Sequence, residues 1–367
     1  FLMLPQHKII IQIMLLTEVQ NYIKCKKIFR INNQDVNFKK ISKNSKNIKK
    51  LSIFAIRNSN KLKINYIQEA ASKGAIAILT NKLIKNLKIS QIIVDNIDLS
   101  IELLLKKLYP DKPLNIVAVT GTNGKTSVAW YISQICLYNK IQSKTYGTLG
   151  YYINNKKYNN SFLTTPDYEI LYQAAFLKKN NKYNFIFEAS SHALDQDRLK
   201  NFPVNIAAIT NITQDHLDYH KNFKSYQKSK FNLFLKYLNK KGYAILNDEI
   251  PNINFLKKEI DDRIKIISYG NIKSDIYLIN NKNNLKIKFF EKNYIIKSIK
   301  LNEIELENLS CTIACSYCLG IQINNILYVI KKISNPPGRL EKVINNKNLK
   351  IFIDYAHTPD ALKQVLL

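Results

Sequence analysis

The spacing of apolar positions changes twice along the chain. Between residues 114 and 334 short apolar runs recur: NIVAVT (115–120), NFIFEAS (184–190), NIAAIT (205–210), GYAILN (242–247) and IKIISYG (264–270). Their apolar residues are consecutive rather than alternating, as expected of strands covered on both faces. Helix-like stretches lie between them, which predicts an α/β fold with a parallel sheet. LKIKFFEKNYIIKSIKL (285–301) alternates instead and predicts an antiparallel hairpin appended to that sheet. Upstream, SIFAI (52–56) reads as a strand and YIQEAASKGAIAILT (66–80) as helix, glycine and strand. DKPLN (111–115) is a plausible linker, and after PPGRLE (336–341) a new strand, LKIFIDYA, precedes a helical PDALKQVLL. The expected organisation is therefore an N-terminal domain over 1–110, a central domain over 111–336 and the first β-α unit of a third, truncated domain over 337–367.

Composition alters this picture in two ways. The 367 residues carry a formal charge of +29, which invites a nucleic-acid footprint. The excess is nearly all lysine: arginine accounts for only five of the 56 basic residues, beside abundant Asn, Ile and Tyr. A drift toward A/T-rich codons accounts for that mixture better than selected phosphate readers, which tend to include arginine. The same drift makes scarce residues informative. There are nine glycines and five histidines, and most fall in polar clusters. No apolar run approaches the 18 residues of a membrane span, and Ile9 to Leu16 is too short and broken for a secretory signal. Five cysteines, expected to be reduced, fit a cytoplasmic protein. Cys311, Cys315 and Cys318 have the spacing of an iron–sulfur motif, but they also fall on one face of a helix, where buried apolar cysteine is the ordinary expectation.

Candidate chemistry gathers at the carboxyl ends of the apolar strands, where open parallel sheets bind ligands. NIVAVT runs into Gly121-Thr122-Asn123-Gly124-Lys125-Thr126-Ser127. Such a glycine-bracketed turn at a helix start lets backbone N–H groups face phosphate oxygens. Lys125 can supply a point charge to terminal phosphates and Thr126 a hydroxyl to Mg²⁺. NFIFEAS ends in Glu188, Ser190 and His192, NIAAIT leads to Asp215, His216 and His220, and LKIFID to Asp354 and His357. Glu188 suits a metal or a positioned water, and His216 is a second candidate ligand. Either alone would be an ordinary loop residue; their recurrence at strand ends favours a site.

T-G-T-N-G-K-T-S (120–127), with two residues between the glycines rather than the four of the common phosphate loop, resembles the nucleotide loop of the Mur ligases. So do Thr164-Thr165-Pro166, EASSHALDQDRL (188–199), TNITQDHLDYH (210–220), YQKSKFNLF (226–234), PGRLE (337–341) and DYAHTPDAL (354–362). Together they resemble the MurE type, from about residue 40 to the end. The resemblance implies a three-domain architecture with a central ATP-binding parallel-sheet domain. It implies an ATP-dependent ligase of peptidoglycan synthesis that adds a diamino acid, meso-diaminopimelate or L-lysine, to UDP-MurNAc-L-Ala-D-Glu through an acyl phosphate. Gly121 through Ser127, with Asn308, Arg339 and Asp354, would bind ATP. Thr126, Glu188, His216 and Lys230 would hold Mg²⁺, Lys230 as a carbamate. Lys125, Glu188, His216 and Lys230 would be the catalytic set, and Ser45, Thr164, Thr165, Ser190, Gln196 and Arg198 would bind the UDP-sugar peptide. A cytoplasmic monomer with no nucleic-acid or membrane partner is expected. The N-terminal domain departs most, with RNSNKLK (57–63) in place of the family's uridine loop. The segment that selects the diamino acid is not in the chain. Two alternatives stand beside this one: a folylpolyglutamate synthase-like ligase and a non-functional truncated remnant.

Overall fold

The computed structural model describes residues 12–31, 35–58, 64–161, 163–177, 182–343, 349–356 and 359–366. Its contacts divide the chain into two compact units. The first comprises Phe1–Lys112 with Tyr168–Asn180, and the second Pro113–Asp167 with Asn181–Leu367.

The first unit is built on a five-stranded sheet in the order Cys25–Phe29, Ser90–Val94, Ala75–Thr80, Ser52–Ala55, Lys40–Ser42. Only the first pair is antiparallel. Helix Ile64–Ser72 turns Ile67 and Ala70 into a core with Phe54 and Ile78. Helix Ile97–Leu108 starts at Asn96, whose side chain accepts the Leu99 N–H, a standard cap. Ser45, itself buried, opens a 3₁₀ turn and donates its hydroxyl to Glu69 Oε2 at 2.6 Å. Of the segment 57–63, residues 59–63 lie outside the described part.

The second unit contains eleven strands in one sheet. In chain order they are β1 (Ile116–Thr120), β2 (Gln142–Gly147), β3 (Gly150–Ile153), β4 (Lys156–Asn159), β5 (Tyr183–Glu188), β6 (Val204–Ile209), β7 (Leu238–Asn247), β8 (Lys265–Tyr269), β9 (Ile276–Asn281), β10 (Asn284–Phe289) and β11 (Lys292–Lys297). The sheet order is β4-β3-β2-β5-β1-β6-β7-β8-β9-β10-β11. The strands from β2 to β9 in that order run parallel. The hairpin β10–β11 is antiparallel, as its alternation predicts.

Why β1 occupies the centre is plain from its residues: Ile116 to Thr120 are all buried, so both faces need cover. One cover is helix α1 (Lys125–Tyr138), which presents Val128, Ile132 and Ile135. Helices α2 (Ser191–Asp195) and α3 (Phe223–Asn232) follow β5 and β6. Helix α4 (Glu303–Cys318) packs Cys311 and Cys315, both fully buried, into the same core as Val117 and Ile206. The cysteine spacing is therefore that of a core helix face.

The strand Ile351–Ile353 lies outside the large sheet and pairs antiparallel with Glu341–Val343 in a separate two-stranded sheet. Only three of the four polar tips thus share a sheet edge. Those three are adjacent, because β5 and β6 flank β1 on either side. In register, Glu188 lies beside Val119 and Ile209 beside Thr120.

Candidate active site

The turn after β1 depends on two glycines. Gly121 has φ 139°, and a Cβ there would lie 1.8 Å from Thr210 Oγ1. Gly124 has φ 83°, and a Cβ there would lie 2.1 Å from Asn308 Oδ1. Both positions exclude a side chain by backbone geometry and by space. The β6 tip braces the turn: Asn123 N donates to Asn211 Oδ1 at 2.9 Å, and Thr122 N to the Asn211 carbonyl at 2.8 Å. Helix α1 then starts at Lys125, so its free N–H groups and positive end face the turn.

Lys125 folds back on this turn, donating to the carbonyls of Gly121 at 2.8 Å and Thr122 at 2.7 Å. Burial pulls its pKa down, Glu188 and Asp215 oppose that, and Arg339 adds to it. Glu188, 2% exposed at the end of β5, accepts from Thr126 Oγ1 at 2.9 Å, Thr148 N at 2.8 Å and Thr148 Oγ1 at 3.1 Å. Gly147 makes room for it, since a Cβ there would lie 2.0 Å from Glu188 Oε1. The Thr148 hydroxyl also reaches that of Thr164 at 3.2 Å.

Lys230, on α3, is 1% exposed and donates to the same Gly121 carbonyl at 2.8 Å. Its amine lies 4.4 Å from the Tyr226 ring centroid. Burial, then the neighbouring Lys125 charge, push its pKa well below the ordinary lysine value; Asp215 opposes them. Tyr226 is itself fully buried, with its hydroxyl 3.0 Å from Thr122 Oγ1.

A second group surrounds the segment after β5. Thr165 donates to the Glu188 carbonyl at 2.7 Å and to Ser190 Oγ at 3.1 Å. Arg198 reaches the Thr165 carbonyl at 2.9 Å and the Gln196 side chain through two nitrogens. Gln196 in turn donates to Tyr219 Oη at 3.0 Å. His216 joins this side. Its ring is 4.7 Å from His192 and its Nε2 is 3.3 Å from Asp215 Oδ2. Its backbone is left-handed, at φ 50°. Of the expected metal set, Thr126 and Glu188 are bonded, Lys230 meets neither and donates to the Gly121 carbonyl of the turn, and His216 faces Asp215 and His192. Among the described residues no three His, Cys, Asp or Glu side chains form a metal-holding group.

Asn123, Gly124 and Thr126 continue into a cleft whose other lining includes Asn308, Arg339 and Asp354. Asn308 is 4% exposed and comes from α4. Asp354 is held by the backbone N–H groups of Leu340, at 2.8 Å, and Ala356, at 2.7 Å. The cleft thus joins the nucleotide loop to the segment after PPGRLE despite their separate sheets. His357 lies outside the described residues. Ser45 belongs to the first unit.

The middle-domain model of the Mur ligases matches residues 119–329. The chain is 38% identical over 340 residues to the UDP-N-acetylmuramoyl-L-alanyl-D-glutamate–2,6-diaminopimelate ligase of Rickettsia bellii, covering 90% of this chain and 70% of that protein. It belongs to the Mur ligase family, on the MurE branch. The namesake enzyme of Aquifex aeolicus is 35% identical over 341 residues, with 89% of this chain and 68% of that protein covered. A solved structure of a ligase of the same name superposes with a TM-score of 0.71 at 25% identity, over 92% of this chain and 72% of that one.

Several residues that brace the candidate site were given no role from the sequence. Thr148 adjoins Gly147, one of only nine glycines, and Tyr226 stands four residues before Lys230 on one helix face, so each had a local signal. Thr210 and Asn211 brace the loop from about 90 residues away, and no spacing rule reaches that far.

Proposed function

We propose that the chain is the ATP-dependent ligase that joins a diamino acid to the D-glutamyl carboxylate of UDP-MurNAc-L-Ala-D-Glu, a cytoplasmic step of peptidoglycan synthesis. The observation that carries this is the convergence of Lys125, Thr126, Glu188 and Lys230 on one turn at the sheet edge. The relatives are named for 2,6-diaminopimelate, which is the amine to test first.

ATP phosphates fit the Gly121–Ser127 turn, with the nucleoside along the cleft toward Asn308, Arg339 and Asp354. Lys125 exchanges its two loop carbonyls for phosphate oxygens. The Thr126 hydroxyl and Glu188 carboxylate, 2.9 Å apart, are the hard oxygen donors Mg²⁺ prefers, so the residues present fit that ion. Bound there, Mg²⁺ supplies positive charge to the phosphoryl oxygens. Thr164, Thr165, Ser190, Gln196 and Arg198 orient the muramoyl peptide, and Ser45 contacts the uridine side.

A D-glutamyl carboxylate oxygen attacks the γ-phosphorus as the bond to ADP breaks, giving acyl phosphate and ADP. Lys125 stabilises charge on the transferring group. The amine nitrogen then attacks the acyl carbon, phosphate departs with the C–O electron pair, and the amine releases a proton. Lys230 is suited to carbamylation because its buried amine favours the neutral form that attacks CO₂. The resulting carboxylate would add an oxygen donor to the set that holds Mg²⁺, and His216 would be a further ligand.

The test is ADP release by this chain with ATP, UDP-MurNAc-L-Ala-D-Glu and either 2,6-diaminopimelate or lysine. Release that requires all three substrates supports the proposal. No release with either amine, alongside normal nucleotide binding, counts against it.

A further inference from the structure

We propose that Tyr131 and Asn335 wall off the nucleoside end of the cleft and so limit the size of the base it accepts, with Gln134 as the positioning residue that holds this wall. The inference rests on the nucleotide assignment above.

Helix α1 serves two ends at once. Its first turn carries Lys125 and Thr126 beneath the phosphates. Tyr131, Gln134 and Tyr138, spaced three and four apart, share a face farther along. All three bond to the segment 332–335. The Tyr131 hydroxyl donates to Asn335 Oδ1. Gln134 Nε2 donates to the Ser334 carbonyl at 2.8 Å, and Gln134 Oε1 accepts from Ser334 N at 3.0 Å and Ser334 Oγ at 3.2 Å. The Tyr138 hydroxyl reaches the Lys332 carbonyl at 3.3 Å. Tyr131 and Gln134 are each 6% exposed, so these two side chains are held in the interior while their partners on the segment stand nearer the surface.

This clamp sits between two hollows. The nucleotide cleft runs from Asn123, Gly124 and Thr126 to Tyr131, Glu305 and Asn335. A second hollow shares Tyr131, Glu305 and Asn335 and continues into Leu301, Leu309 and Ile330. The Tyr131–Asn335 bond therefore lies where the two meet. At about 1.5 Å per residue, Tyr131 stands roughly 9 Å up the helix from Lys125. Phosphates take the loop end, which leaves the nucleoside against Tyr131 and Asn335. The clamped segment leads directly to Arg339, four residues beyond Asn335, so the same bonds set where that guanidinium enters the cleft.

Calorimetric titrations of the whole chain with Mg²⁺ and three probes test this: ADP, inorganic tripolyphosphate and N6-benzyl-ADP. Tyr131→Phe keeps the ring and removes one hydrogen bond. Its ADP affinity is expected to fall about three- to tenfold, with tripolyphosphate binding unchanged. Gln134→Leu is expected to show the same split. Asn335→Ala is expected to raise the affinity for N6-benzyl-ADP relative to ADP about tenfold or more, by joining the two hollows. Equal loss for ADP and tripolyphosphate would mean a general loss of structure and would overturn the wall. Unchanged ADP binding in both Tyr131→Phe and Gln134→Leu, or an unchanged preference in Asn335→Ala, would overturn it too. If the unaltered chain binds tripolyphosphate but not ADP, the nucleotide assignment itself fails.

Discussion

Glu188 holds its position because its neighbours are small. Thr126 and Thr148 donate to its carboxylate, and Gly147 leaves the space that carboxylate fills. Gly147→Ala should therefore displace the carboxylate while leaving the fold intact. ADP release should slow by about 100-fold, the order expected when a reacting group shifts by an ångström. Unchanged turnover with an unchanged circular dichroism spectrum would show that the carboxylate position does not matter. Lys230 offers a test of charge. Its amine is lowered well below 10.5 by burial and by Lys125. Between that lowered value and the unfolded one, the unfolded chain binds a proton that the folded chain does not. Stability should rise with pH across this window, by up to about 1.4 kcal/mol per pH unit. Urea midpoints in CO₂-free buffer should show wild type gaining on Lys230→Met between pH 7 and pH 9. Parallel behaviour would mean that the folded amine stays charged, the form that cannot capture CO₂. Scarcity, too, was informative at this scale: two of the five arginines, Arg198 and Arg339, lie at the site or in the cleft it opens into.

Elements were legible where burial on both faces left a run of apolar residues. β1 and β8 stand within the runs that predicted them, β5 and β6 begin one residue before theirs, and β7 begins four residues before; a central parallel strand has no polar face to interrupt its pattern. The strand Ile351–Ile353 has the same apolar pattern yet is exposed and lies outside the large sheet. An apolar run specifies that a strand wants cover, and says nothing of which sheet supplies it. Nor could the sequence show that Tyr168–Phe176 falls within the first unit, since that depends on pairings distant along the chain. Helix α4 is fixed at both ends for physical reasons. Asn302 accepts the Glu305 N–H at 2.8 Å, while Glu305 accepts the Asn302 N–H at 3.0 Å, a reciprocal capping box. Gly320, at φ 85°, ends the next turn. Because this cap fixes the entry of the helix that carries Asn308, Asn302→Ala should cost about 1 kcal/mol. ADP affinity should weaken by more than stability alone would dictate, since Asn302 also lines the cleft. Thermal melts and ADP titrations of the same variant measure both, and a change in neither would mean that the cap is redundant.

At the scale of the molecule, each unit has its own sheet and its own buried cluster. The candidate site residues divide between them: Ser45 falls in the first, and the nucleotide loop, Glu188, Lys230 and Asp354 in the second. The chain spans 70% of the Rickettsia bellii relative, and the Mur ligase model covers the part that holds the loop. This division predicts where each substrate leaves its mark. A ligand protects from hydrogen exchange the backbone whose opening it opposes, by an amount set by its concentration over its dissociation constant. Mg-ADP should therefore slow exchange in Gly121–Ser127 and in helix α4, and leave the strands Ser52–Ala55, Ala75–Thr80 and Ser90–Val94 unaffected. If the proposed substrate contacts hold, UDP-MurNAc-L-Ala-D-Glu should slow exchange around Ser45 in the first unit and around Thr164–Pro166 and Gln196–Arg198 in the second. At 100 times the dissociation constant, protection of segments that exchange only when the site opens should approach about 2.7 kcal/mol. Protection by Mg-ADP centred on the first unit would place the nucleotide elsewhere. Protection by the muramoyl peptide confined to one unit would remove either Ser45 or the Thr165–Arg198 group from the substrate contacts.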